Sequence, residues 1–261
     1  CNMSPFGVTA SPREWPSPYG LSLGLLSVAL GQIFIIIPYY YMLRSGYIKR
    51  PLIQKPSKDT QVNKPFFEGM LEHLSQPEGF VLLGSYLSGT WMFNLMPASY
   101  YSFEGGVSPL HVLSQLLLVD FCQTIMHFAE HKLSSLYKQS HKPHHVFKAP
   151  VLFDAFNGSF FDTLFMILIP LFLTANLVHC NVWSYMAFGT IYGNYLCLIH
   201  SEYSHPWDPV FRMLGIGTAG DHHVHHKLFR YNYGNLFMYW DRMLGTYRSP
   251  KEVTSFNAKL I

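Results

Sequence analysis

Charge is scarce in this chain: 13% of its 261 residues are Asp, Glu, Lys or Arg, about half the share of an average soluble domain. Disorder is excluded, because it needs high net charge and few apolar residues, whereas 49% of these residues are apolar and the mean hydropathy is +0.12. Cysteine is sparse too. Cys1, Cys122, Cys180 and Cys197 form no CxxC pair, which argues against both a disulfide framework and a thiolate zinc site. The net charge is only +3, with no basic stripe and no nucleic-acid module, so nucleic acid is not an expected partner. Internal repeats and low-complexity tracts are absent. What is abundant is long uncharged runs and fourteen histidines.

The uncharged runs predict membrane helices. Residues 21–43 carry no charge and as a helix would reach about 34 Å, enough for one bilayer core. Further runs cover 79–101 and 163–199, and 107–129 is interrupted only by Asp120. The 163–199 run is too long for one span, and the polar break His179-Cys180-Asn181 divides it into helices near 160–178 and 182–199. The expectation is an all-α integral membrane protein with about four to five membrane helices. Placing 44–78, 130–159 and 200–261 on one side collects six, four and seven Lys and Arg residues there and leaves Arg13 alone opposite, which makes the first side cytosolic. Residues 1–20, with four prolines and no basic n-region, are expected to be an irregular lumenal segment rather than a signal peptide. Tyr39, Tyr40, Tyr41, Tyr100 and Tyr101 fall at helix ends as interface anchors. Gly84, Gly89, Gly189 and Gly193 are candidates for close helix packing.

This topology also sorts the histidines. His111 and His179 fall at lumenal ends and His73 stands alone, positions typical of caps or surface residues. The rest reach the cytosolic layer. His127 and His131 stand four apart at a helix end and share a face. His141-Lys-Pro-His144-His145 follows, His222-His223-Val-His225-His226 repeats the HxxHH spacing, and His200 ends the last membrane helix. Nine candidate ligands, His127, His131, His141, His144, His145, His200, His222, His225 and His226, exceed the three or four of one zinc site, so two metals are expected. Imidazole suits iron, copper, nickel and zinc alike, so spacing does not name the metal. His205 and His223 could ligate or stand behind the ligands. Asp120, Glu130, Glu202, Asp221 and Asp241 are candidate acceptors for the outer ring nitrogens.

These boxes resemble those of the fatty acid hydroxylase and sterol desaturase superfamily of membrane di-metal oxidases, over about residues 120–250. Asp120-Phe121, then five residues and His127-Phe-Ala-Glu-His131, is similar to that family's acidic and HxxxH helix. Leu136-Tyr137-Lys138 before the second box, His200-Ser-Glu-Tyr203 and the third box are similar as well. Tyr231-Asn-Tyr-Gly234 and Trp240-Asp241-Arg-Met-Leu-Gly245-Thr246 resemble the tail of sterol C-5 desaturases. Phe128, Phe156-Asn157-Gly158 and Asp221 depart from the pattern of many relatives but leave the metal boxes whole. The resemblance implies a helix bundle under a cytosolic metal-binding cap in the endoplasmic reticulum membrane. It also implies two irons, O2 as cosubstrate, and electrons from NADPH or NADH through cytochrome b5 and its reductase.

The function expected is desaturation or hydroxylation of a sterol or sterol-like lipid, with a fatty-acyl or sphingoid lipid as the alternative substrate. A remote alternative is a zinc peptidase, since His127-Phe-Ala-Glu130-His131 also reads as HxxEH. The expected organisation is a lumenal segment and two membrane helices over 1–106, a catalytic domain over 107–250 and a tail over 251–261. The chain begins at Cys1 rather than Met, as a trimmed chain would, with an Asn2-Met3-Ser4 sequon on the lumenal side.

Overall fold

The structure is a computed structural model and describes residues 16–55 and 64–257. Cys1, the sequon and Arg13 lie outside the described residues. The fold is helical: among the described residues, extended pairing is limited to three isolated bridges.

Helix α1 spans Pro18–Arg44. The Ser17 hydroxyl accepts from the Gly20 amide at 3.1 Å, and Pro18 occupies the first turn, where its missing N–H costs no hydrogen bond. A π-helical turn at Ile36–Tyr40 surrounds Pro38, which has no amide to donate. The short α2, Phe66–Leu74, leads into a π turn at Pro77–Val81 and α3, Leu82–Met92. Helix α4, Pro109–Lys132, is the long central helix. The six-residue α5, Ser134–Gln139, follows it, and then α6, Phe160–Leu177. Asn181 caps α7, Val182–Leu198, by accepting from the Ser184 amide at 2.9 Å. Helices α8, Asp208–Met213, α9, Ala219–Leu228, and α10, Tyr239–Leu244, complete the cap.

The division of the long apolar run into two helices is as expected. Helices α1, α4 and α6 are each long and apolar enough to cross a membrane, whereas α3 and α7 have 11 and 17 residues. The 79–101 run is not one helix: α3 stops at Met92, Asn94 takes a left-handed conformation at φ 55°, and the chain folds into a 3-10 turn at Ala98–Tyr101.

Two expectations from single residues are corrected. Tyr40, Tyr100 and Tyr101 are buried rather than anchored at an interface. The Tyr100 hydroxyl donates to the Val178 carbonyl at 2.5 Å, and Tyr101 donates to that of Trp91 at 3.0 Å. The close helix contacts also use other glycines. A Cβ on Gly20 would strike the Trp91 carbonyl, one on Gly24 the backbone of Ser88, and one on Gly193 the Gly31 carbonyl. Helix α1 therefore lies directly on α3 and α7, while Gly84 and Gly189 have open space beside them and Gly89 makes only ordinary contact.

Candidate metal centre

Four chain segments converge on the end of the bundle where α4 and α7 finish. Helix α4 supplies His127 and His131, one turn apart, and ends where Leu133 becomes extended. The loop after α5 supplies His141, His144 and His145 around a 3-10 turn at His144–Val146. His200 stands two residues beyond α7. Helix α9 supplies His222, His225 and His226, and its start is held by Thr218 and Asp221, whose side chains bond each other and each other's backbone amides. It stops at Phe229, which adopts a left-handed φ of 61° three residues after His226.

All nine histidines singled out by spacing come together, in two groups. His127, His131, His141, His145 and His225 form one, and His144, His200, His222 and His226 the other, with the ring nitrogens of each group within 4.8 Å of one another. The second and third boxes are each divided between the groups: neighbours His144 and His145 face different centres, and so do His225 and His226.

The outer nitrogens decide what these clusters can hold. His127 Nδ1 lies 2.7 Å from the Tyr233 carbonyl, His225 Nδ1 2.8 Å from that of Tyr231, His200 Nδ1 2.9 Å from that of Leu196 and His144 Nδ1 3.1 Å from that of Asn157. His141 Nδ1 lies 2.7 Å from Asp162 Oδ1. A carbonyl only accepts, so each of these Nδ1 atoms carries the proton and each Nε2 presents a lone pair. Yet His127 Nε2 and His141 Nε2 are 2.9 Å apart, and His144 Nε2 and His200 Nε2 are 3.3 Å apart. Facing lone pairs repel unless a cation lies between them, so the donor set fits metal ions. Burial, reinforced by the neighbouring imidazoles, holds His141, His145, His200, His222, His225 and His226 well below the ordinary histidine pKa, which keeps them neutral as ligation requires.

The remaining candidates do other work. His223 faces away from both groups, with Nδ1 2.7 Å from Gln54 Nε2 and Nε2 3.1 Å from the Ser201 carbonyl. His205 stacks on Trp207 and bonds the Tyr39 hydroxyl at 2.7 Å. Of the five acids, four bond partners other than imidazoles. Asp120 accepts from the amides of Asn235, Leu236 and Phe237 and from Trp240 Nε1. Asp241 accepts from the amides of Tyr233 and Gly234 and from the Thr246 hydroxyl. Asp221 caps α9, and Glu202 accepts from the Tyr40 hydroxyl at 2.6 Å and pairs with Arg44 at 3.0 Å. Asp120 and Asp241 thus act at one remove: they fix the 231–237 loop, whose carbonyls at Tyr231 and Tyr233 orient His225 and His127. Glu130 lies 3.9 Å from His141 Nδ1, with neither carboxylate oxygen bonded to a protein donor.

The carboxylate that does meet an imidazole, Asp162, was missed. Its signal was present: it stands at the mouth of the 163–199 run, as Asp120 stands within the run before it. The solitary histidines stay apart from the groups. His179 is exposed and His111 half-buried, but His73 is buried rather than a surface residue, its pKa pulled to about 4 by that burial.

A small chamber adjoins the clusters, lined by His127, His141, His144, His200 and His222 together with Phe156, Met166, Ile167 and Leu196. Its lining mixes imidazoles with apolar side chains, as the lining of a small-molecule site does.

A family model described as fatty acid hydroxylase matches residues 112–246, which is more than half of the chain. The chain belongs to that family. As a member it is a membrane oxidoreductase of the sterol desaturase and hydroxylase kind, and HxxEH peptidase chemistry is set aside, since His127 and His131 sit in a five-histidine group. An alternative squalene epoxidase of Phaeodactylum tricornutum is 56% identical over 237 residues, covering 90% of this chain and 68% of that protein. Cholesterol 25-hydroxylase of Mus musculus is 32% identical over 142 residues, covering 53% of this chain and 47% of the enzyme. Delta(7)-sterol-C5(6)-desaturase of Nicotiana tabacum is 32% identical over 139 residues, covering 52% and 49%. The chain thus spans about half the length of these two sterol enzymes. No solved structure matches.

Proposed function

We propose that this chain is the catalytic part of a membrane di-iron oxygenase that epoxidises squalene. The observation that carries this reading is the reach of the likeness. Similarity to the two sterol enzymes covers about half of the chain, whereas the 56% identity to the Phaeodactylum tricornutum squalene epoxidase covers 90% of it and so takes in most of the membrane helices. Those helices supply the apolar walls that meet a substrate. This replaces the sterol itself, expected from the C-5 desaturase-like tail, with an acyclic triterpene. Sterol hydroxylation or desaturation is the second reading, favoured by the 32% relatives; a fatty-acyl or sphingoid substrate is not favoured.

The five-histidine and four-histidine groups would each hold one iron, and the irons when bound would supply the activation of O2. In the overall reaction one oxygen atom bonds to both carbons of a double bond while the other leaves as water, with two electrons and two protons consumed. The electrons would come from reduced pyridine nucleotide through cytochrome b5 and its reductase. The chain's own residues orient the Nε2 lone pairs through carbonyls and Asp162, and wall the chamber with Phe156, Met166, Ile167 and Leu196 to exclude water. An endoplasmic reticulum membrane with the cap in the cytosol agrees with the distribution of Lys and Arg.

Expression in yeast lacking its own squalene epoxidase tests this reading. Growth without added sterol, and squalene epoxide bearing one atom from isotopically labelled O2, are expected. A hydroxylated or newly desaturated sterol, with squalene unchanged, would replace epoxidation with the second reading.

A further inference from the structure

Two short helices of the cap, α8 and α10, are amphipathic in the inverse sense to a helix that faces water. Val210 and Met213 of α8 and Leu214 at its C-cap share one face and are exposed, Met213 at 77%. Tyr239, Met243 and Leu244 of α10 are exposed likewise, Met243 at 78%. The polar side chains turn inward instead. The Asp208 carboxylate accepts from the His205 amide at 2.8 Å, Arg212 donates to the Thr218 hydroxyl at 3.2 Å, and Asp241 takes the amides of Tyr233 and Gly234. Helix α5, also of six residues and also in the cap, has the ordinary arrangement and exposes Ser134, Ser135, Lys138 and Gln139.

The two exposed faces are joined. The Gly215 carbonyl accepts from the Met238 amide at 2.9 Å and the Leu236 carbonyl from the Gly217 amide at 2.8 Å, which lays the helices side by side. A Cβ on Gly215 would strike the Tyr239 ring, and the Tyr239 hydroxyl donates to the Leu214 carbonyl, so one residue of each exposed face meets the other. The depth of this platform is fixed by α4. Asp120 accepts from the amides of Asn235, Leu236 and Phe237 and from Trp240, whose ring packs at 5.1 Å against that of Phe121. Phe121 belongs with Leu113 and Leu117 to the exposed apolar stripe of a helix long enough to cross a membrane. It stands six residues before His127, about 9 Å along the axis, on the bundle side of the metal clusters. The platform therefore lies beside the spanning part of α4, nearer the bundle than the histidines are.

We propose that α8 and α10 form a lipid-docking platform that lies within the leaflet on the metal side and buries its six exposed side chains among phospholipid acyl chains. Continuity names the occupant: lipid that covers Leu113, Leu117 and Phe121 extends without a break over Trp240 onto α10. An apolar patch of this kind is otherwise left in water, and a helix with one apolar face sinks about 5–10 Å into the boundary between headgroups and acyl chains. Arg242, exposed on α10 beside Tyr247, supplies a cation for lipid phosphates at the rim. The platform also has a bearing on the metal centre. The loop whose Tyr231 and Tyr233 carbonyls orient His225 and His127 runs straight into α10, so the ligands are held from behind by a segment seated in lipid. This inference rests on α4 crossing the bilayer and not on the identity of the substrate.

Photo-crosslinking tests the platform in the intact chain. Met213→p-benzoylphenylalanine and Met243→p-benzoylphenylalanine place a photoreactive ring at two exposed positions, one on each helix, where neither fills the core. The same residue at Leu117, on the apolar stripe of α4, reports acyl chains, and at Lys138, on α5, reports water. Each variant is irradiated in nanodiscs of radiolabelled phosphatidylcholine and phosphatidylserine. Positions 213 and 243 should take up lipid within about twofold of position 117, as residues at acyl depth do, and position 138 should take up little. Failure of either 213 or 243 to form a lipid adduct while 117 does so would overturn the platform. A covalent dimer of the chain in place of the lipid adduct would overturn it too, because the patch would then be an interface between copies. Equal labelling at 138 would do the same, since lipid would reach the cap without distinction. Absence of label at 117 would remove α4 from the bilayer and the platform with it, whereas none of these outcomes touches the squalene reading, which the yeast experiment decides.

Discussion

His144, in the 3-10 turn after α5, and His225, on α9, belong to different clusters. His144→Ala and His225→Ala should each abolish turnover and lower metal content, while His179→Ala, on an exposed side chain hydrogen-bonded to the Asn176 carbonyl, should alter neither; metal analysis beside an activity assay decides. Asp162→Asn exchanges the acceptor of His141 Nδ1 for a neutral amide. The expected outcome is metal retention weakened roughly 10–100-fold, read by competition with a chelator, and normal retention would assign Asp162 a packing role only. At this scale the nine histidines were legible because ligand spacing repeats along the chain. Their division between two centres was not, because it depends on the turn at Pro143 and on how far α9 rotates between His222 and His226. The partners of the acids were equally hidden, since Asp120 meets amides more than a hundred residues away.

Helices were read well where the uncharged run was uninterrupted, and less well where a local backbone feature ended it. The break at Asn94 depends on a left-handed conformation that hydropathy does not register, whereas the break at Asn181 is a cap that a polar residue announces. Close helix contacts followed backbone approach rather than glycine spacing, so Gly193 mattered and Gly84 did not. Gly193→Val should push α7 away from α1, costing about 1–3 kcal/mol of overpacking strain, visible as a lower unfolding temperature in detergent. Asp120→Ala strips four donors of their acceptor at the junction of α4 with the 235–237 loop. A loss of about 3 kcal/mol or more is expected, together with loss of metal, because the same loop holds His127 through the Tyr233 carbonyl. Asp120→Ala protein with full metal content would separate the loop from the site.

For the molecule as a whole, the buried neutral histidines predict acid sensitivity. Burial lowers His73, His205 and His223 to about 4, and the six cluster histidines named above lie well below their ordinary value. The unfolded chain then binds more protons than the folded one below about pH 6.5, so their contribution to stability is complete above that pH and lost as pH falls toward 4. Burial shifts Asp154 to about 7 and Asp208 to about 6 and also raises Asp221 and Asp241, and this acts oppositely, removing stability as pH rises above about 4. The nine histidines outnumber these four acids, so stability and metal retention should fall together on acidification below about pH 6. Dialysis at a series of pH values followed by metal analysis checks this, and full retention at pH 5 would contradict it.

The convergence of four distant segments on two clusters also has a topological consequence. Ions bound there would join residue 127 to residue 226 through the cap, so each would act as a cross-link that removes chain entropy from the unfolded state. The bundle has no such dependence, being held by glycine contacts and apolar packing. Chelation should therefore open the molecule from one end only: proteolysis should cut first in 140–159 and 201–238, while α1, α3 and α7 stay intact.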